Sequence, residues 1–171
     1  MPLSRLLHKE KQNTFLKNFI FGVEDSLVST VGLLAGVAAA DATSQAIITT
    51  GLVLIVVEGF SMGIGSFLTE ETTEEMAGEV VNTWVAVKGG LTMLCSYVLA
   101  GFLPLLPYTF LDPSTAMPYS VALSLFGLFG LGFGTSIYYK RPHPIKRAIK
   151  MFLLGGLAVL AGVAIGKLFH L

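Results

Sequence analysis

Five runs of apolar residues, at 19–40, 46–68, 89–110, 119–138 and 148–169, each approach the roughly 20 residues that a helix needs to cross a bilayer. In hydrocarbon every backbone donor and acceptor must be satisfied within the protein, which leaves helices or a closed barrel, and runs of this length select helices. The predicted fold is all-α: an integral membrane protein with five transmembrane helices in residues 19–171, a basic lead at 1–18 and a short acidic segment at 70–88. The totals agree, with 53% hydrophobic residues, 13% charged residues and a mean hydropathy of +0.74. A soluble domain of this length is far less apolar and carries more charge.

The linkers and the basic residues predict topology. Residues 41–45 are too few for anything but a turn, so the first two helices form an antiparallel hairpin. Asp112-Pro113-Ser114 with Pro118 turns the chain between the third and fourth helices, and Lys140-Arg141-Pro142-His143-Pro144 between the last two. Pro104 and Pro107 kink or end the third helix by removing backbone donors. Arg5, Lys9, Lys11 and Lys17 lie in the lead, Lys88 in the second linker, and Lys140, Arg141, Lys146, Arg147 and Lys150 around the fourth. Only Lys167 falls on the other side. Basic residues beside spans face the cytoplasm, so the amino terminus is expected inside and the carboxy terminus outside or in a lumen. The lead, with Phe15 and Leu16 among its lysines, reads as an amphipathic segment on the membrane surface. Ala38-Ala39-Ala40 resembles a signal cleavage site, but adjacent carboxylates do not belong in a signal core. Cys95, the single cysteine, excludes an internal disulfide and reads as a buried packing residue. A formal net charge of zero gives no reason to expect a nucleic acid partner.

Within the apolar runs stand residues that lipid should exclude. Glu24 and Asp25 lie in the first and Glu58 in the second. An ionised side chain there costs on the order of 3 kcal/mol, and such residues face a bundle interior, a pore or an ion site. Helical spacing aligns Asp25, Ser29, Gly32 and Gly36 on one stripe, and Glu58, Met62, Gly65, Ser66 and Thr69 on another, with Ser61 beside it. At about 1.5 Å per residue, Asp25 and Met62 come level near the same membrane face, with Glu58 one turn deeper. In a hairpin these groups can converge on one cation. Carboxylate oxygen alone suits magnesium or calcium, whereas a thioether favours softer ions, so the mixture points to ferrous iron or manganese. Carboxylates in oil hold protons when empty and release them to a metal, which makes metal-for-proton exchange a natural consequence. Met62 as core filler and Glu24 snorkelling to the interface are the plainer alternatives for those two.

Glu70, Glu71, Glu74, Glu75 and Glu79 form an acidic run beyond the second helix. If the helix continues, Glu71 and Glu75 share a face and Glu79 extends it. The run either captures divalent cations below the path or is a solvated face. Pairs of glycines four apart, Gly32 and Gly36, Gly59 and Gly63, Gly130 and Gly134, Gly162 and Gly166, predict close helix packing. His8, His143 and His170 lie outside the spans and supply no paired-histidine metal site, so an intramembrane enzyme is disfavoured and no tightly bound cofactor is expected. A membrane scaffold or metal-binding protein with protonated acids is the other reading.

The stretch GVEDSLVST at 22–30 followed by GLLAGV at 32–37 resembles the first-helix signature of the vacuolar iron transporter family, and Ser61-Met62-Gly63 with Gly65 resembles its second-helix motif. The resemblance implies a five-helix homodimer in the lipid bilayer, with an ion path at the subunit interface that exports ferrous iron or manganese from the cytoplasm in exchange for protons. It makes Asp25 and Met62 path ligands. The membrane would be the plasma membrane in a prokaryote and a vacuolar or other storage-organelle membrane in a eukaryote. This chain departs from the pattern at Glu24, where the family usually has asparagine, at Glu58, where it has a small residue, and at Ser66, where it has glutamate. Residues 70–88 are also too few for the long metal-binding insert of typical members, which makes this a short form.

Overall fold

The computed structural model describes residues 3–78, 80 and 82–169, with side chains described from residue 14 onward. Glu79 and His170, and the side chains of Arg5, His8, Lys9 and Lys11, lie outside the described residues. Five α-helices and one short 3-10 turn make up the chain: α1 (Leu3–Ala39), α2 (Ser44–Met76), α3 (Thr83–Leu105), the 3-10 turn Leu106–Thr109, α4 (Pro113–Tyr138) and α5 (Pro144–Leu168). All five are long and apolar enough to span a membrane.

Local chemistry sets the ends of the helices, and several differ from the expected bounds. α1 runs from Leu3 without a break, so the backbone of the lead and the first span form one helix, which stops where Asp41 takes a left-handed φ of 54°. A short polar side chain tolerates that conformation better than most. Thr43 caps α2, its hydroxyl accepting from the Ala46 amide at 3.3 Å. α2 continues past the predicted residue 68 to Met76, and Gly78, at φ 69°, turns the chain away. Asn82 caps α3, accepting from the Val85 amide at 3.3 Å. Pro104 is accommodated in the last turn of α3, and the chain then tightens into the 3-10 turn containing Pro107. There the Ser120 hydroxyl of α4 donates to the Pro104 carbonyl at 2.6 Å. Pro118, expected in the turn, lies inside α4, because Pro113 already occupies the first helical position where no donor is needed. Pro144 opens α5 in the same way, after His143 at φ 62°.

α1 is the centre of the bundle. Half of its apolar window is buried (50%), against 22% for α5, and it packs most extensively on α3 and α5, with smaller contacts to α4 and α2. The principal neighbour of α2 is α3 rather than α1, so the predicted hairpin exists in sequence but α3 is wedged beside it. Val31, Leu34 and Ala35 of α1 are enclosed, with Ile47 and Ile55 of α2 and Leu128 of α4.

The glycine pairs account for how α1 and α5 touch. A side-chain carbon added at Gly162 would collide with the Gly32 carbonyl, one at Gly166 with the Gly36 carbonyl, and one at Gly36 would come within 2.7 Å of the Gly162 carbonyl. Gly63 and Gly90 join α2 to α3 in the same manner, with 2.7 Å from a carbon at Gly90 to the Gly63 carbonyl. Gly59 rests against Val98 of α3. Gly130 and Gly134 do not follow the expectation, because nothing lies within 4 Å of a carbon added at either. α4 approaches α5 through Gly132 instead, against Met151 and Ala148. Cys95 is likewise exposed rather than buried, on the outer surface of α3, where lipid accepts an apolar thiol as readily as a protein core does.

These contacts set a stability prediction. Gly162→Ala must push two backbones apart and is expected to lower stability by about 1–3 kcal/mol, read as a lower thermal midpoint in detergent. Gly130→Ala, which enters open space, is expected to leave the midpoint unchanged.

Candidate functional site

Asp25 and Glu58 each stand within about one turn of the centre of their span. Both are half-buried, and Asp25 lies within electrostatic range of Glu58. The stripes expected from helical spacing carry both acids, and α1 begins well before residue 19.

A third helix completes the arrangement. Tyr97 of α3 is fully buried, at 0% exposure, and its hydroxyl donates a short hydrogen bond to Oε2 of Glu58. The same hydroxyl lies 2.7 Å from the Ser29 hydroxyl of α1. With the phenol proton directed at Glu58, Ser29 is the donor of that second bond. Ser26, one turn before Ser29, donates to the Tyr97 carbonyl at 2.6 Å. Both ends of Tyr97 are thus held by α1, while its ring packs beside Gly59 of α2, where an added carbon would meet the ring at 3.6 Å. Tyr97 was not anticipated from the sequence. Its signal was there, a phenol near the middle of an apolar span, where a buried hydroxyl needs a partner.

Ser29 and Glu58 line a groove of about 590 Å³ between α1, α2 and the second half of α5, walled by Gly32, Gly36, Leu54, Gly162 and Ile165. Its surface is otherwise apolar, so the carboxylate and the hydroxyl are its polar features. Met62 is half-buried one turn beyond Glu58, and Glu24 is half-buried next to Asp25. Ser61 and Gly65 are exposed on the outer side of α2. Ser66 points instead toward α3, within 3.8 Å of a carbon added at Gly89, where the Asn18 amide also converges.

The acidic run behaves as the end of a helix. Glu70, Glu71 and Glu74 are half-buried and Glu75 is exposed, all on the last turns of α2. Glu74 accepts from the Asn82 amide at 2.6 Å, which ties the end of α2 to the start of α3. Among the described residues, no three Asp, Glu, His or Cys side chains converge as a metal-ligand set. In one copy of the chain the intramembrane acids make a pair, not a cage.

These features define a class: a five-span helical membrane protein with a carboxylate pair at mid-span, one member facing a groove. The sequence model of the VIT family matches residues 16–84 and 78–167, so nearly the whole chain is covered, and the chain belongs to that family. The two matched stretches meet at the linker between α2 and α3. The chain is 25% identical to "Vacuolar iron transporter" of Centaurea cyanus, over 95% of this chain and 93% of that protein. It is 25% identical to "Vacuolar iron transporter 1" of Arabidopsis thaliana, over 94% and 89%. With "Vacuolar iron transporter homolog 1" of Oryza sativa subsp. japonica it shares 29% over 91% of this chain and 74% of that protein. The alignment to the Centaurea protein runs over 228 positions, more than the 171 residues here, so that relative carries residues with no counterpart in this chain.

A double-mutant cycle tests the hydrogen bond at the centre of the site. Tyr97→Phe and Glu58→Gln are expected to be non-additive by about 1 kcal/mol in unfolding free energy, as for interhelical bonds inside membranes. Additive effects would show that the two side chains do not interact.

Proposed function

We propose that this protein carries a divalent transition metal, ferrous iron or manganese, across the bilayer and out of the cytoplasm in exchange for protons. The observation that carries this reading is the mid-span pair Asp25 and Glu58, with Glu58 opening onto a groove. Carboxylates at that depth are costly unless they serve passing cations or protons. The names of the relatives make iron the first cargo to test. Membership of the VIT family gives the chain a five-span scaffold in keeping with this role.

The cargo has too few ligands in one copy, and a homodimer remedies this. α2 leaves Val53 and Val57 exposed next to the groove residues Leu54 and Glu58, an apolar face against which a second copy can pack. A two-fold axis there brings a second Asp25 and Glu58 to the path, with Met62 offering a soft ligand on the same helix. In this arrangement Glu70, Glu71, Glu74 and Glu75 stand at the cytoplasmic mouth, where their charge concentrates cations. Loading a metal displaces protons from carboxylates held in low dielectric, and emptying the site takes them up again. Counter-transport of protons follows from that cycle.

One observation favours a second reading. The bond from Tyr97, whose hydroxyl is held in turn by Ser29, satisfies Glu58 between helices, as it would in a non-transporting scaffold whose acids only hold the bundle together. Purified protein in proteoliposomes separates the two. The transporter is expected to move ferrous iron or manganese down its gradient, faster when a pH gradient drives proton counterflow. Asp25→Ala with Glu58→Ala is expected to reduce the flux at least about ten-fold, the scale on which lost charged ligands act. Equal flux in wild type and variant, with no metal binding by calorimetry, would leave the scaffold reading standing.

A further inference from the structure

We infer that Tyr97 is a specificity-determining residue, which makes Glu58 a one-oxygen ligand and so biases the path against calcium. This inference rests on the transport reading and adds a residue and a mechanism to it.

The geometry supplies the reason. Tyr97 donates to Oε2 of Glu58, taking one lone pair of that oxygen, and Glu58 lines the groove. The phenol has little freedom to move aside. Its residue is fully buried, its hydroxyl is shared with Ser29, its carbonyl is bonded by Ser26 at 2.6 Å, and its ring lies against Gly59. All these constraints come from α1 and α2, the two helices that carry the acids, so the phenol and carboxylate move as one unit.

Calcium and the smaller divalent ions make different demands on a carboxylate. Calcium collects six to eight oxygens in irregular shells and commonly takes both oxygens of a carboxylate. Smaller ions prefer six ligands near octahedral geometry, which single carboxylate oxygens serve well. Committing a lone pair of Oε2 to a fixed donor therefore weakens the second oxygen that calcium can use and leaves a single-oxygen mode, which serves manganese or ferrous iron.

The test is calcium competition against manganese flux in proteoliposomes, comparing wild type with Tyr97→Phe. The variant keeps the ring and frees Oε2. Whatever the size of the variant's manganese flux, the calcium concentration that halves it is expected to fall about ten-fold, as loss of one oriented interaction predicts. General loosening of the bundle would lower flux without changing this ratio, so the ratio reports the specificity role. Where Tyr97→Phe does not purify as a folded species, Ser29→Ala is used, which removes the group that fixes the phenol and is expected to shift the ratio in the same direction. An unchanged ratio in the folded variant, with robust manganese flux in wild type, overturns this inference and leaves the transport reading intact. A wild type without divalent-ion flux overturns both.

Discussion

A carboxylate in hydrocarbon must be protonated, bonded or paired with a cation, and the centre of this bundle is arranged around that requirement. Asp25 and Glu58 stand near the middle of their helices, where water cannot reach them without a path. Glu58 is bonded to the one phenol at hand and still faces the groove. A side chain kept only for stability would be satisfied and enclosed. Glu58 has a partner in Tyr97 and also lines the groove.

That arrangement depends on helices that come unusually close. Lipid tails are as apolar as leucine, so the contacts between spans must come from packing and from hydrogen bonds. Gly32 and Gly36 let the backbone of α1 touch that of α5 at Gly162 and Gly166, and Gly63 and Gly90 do the same for α2 and α3. Close approach of α3 to both α1 and α2 is what brings Tyr97 within reach of Ser29 and Glu58 together. At Gly101, one turn beyond Tyr97, an added carbon would press on Ile55 of α2 and Ser26 of α1 at 2.7 and 2.9 Å. The small residues and the polar triad are therefore parts of one design: the former set the distances, and the latter uses them.

The helices were legible in the sequence because hydrocarbon imposes a length and a composition on any span, and the acids because a charge in an apolar run is conspicuous. The helix ends were less so. α2 extends to Met76 because Glu70, Glu71, Glu74 and Glu75 are good helix formers once outside the oil, and polarity alone marked them as a linker. Periodicity can say which residues share a face but not which face meets a neighbour. Hence Gly130 and Gly134 are expected to pack when Gly132, on another side of α4, does so, and the mid-span phenol of Tyr97 signals a need for a partner without saying which. The partner that gives it meaning, Glu58, lies on another helix.

The departures from the family pattern acquire a physical sense in this light. Where the pattern has a glutamate, Ser66 sits beside Gly89 and Asn18, a crowded contact in which a carbon at Gly89 would come within 2.9 Å of the Asn18 amide. About two turns along the same helix, at Glu58, the neighbour on α1 is Ser29 and the neighbour on α3 is a phenol. The carboxylate there has the Tyr97 phenol as its donor. An acid at position 58 therefore lines the groove and meets a fixed donor on α3, which sets how its two oxygens are engaged.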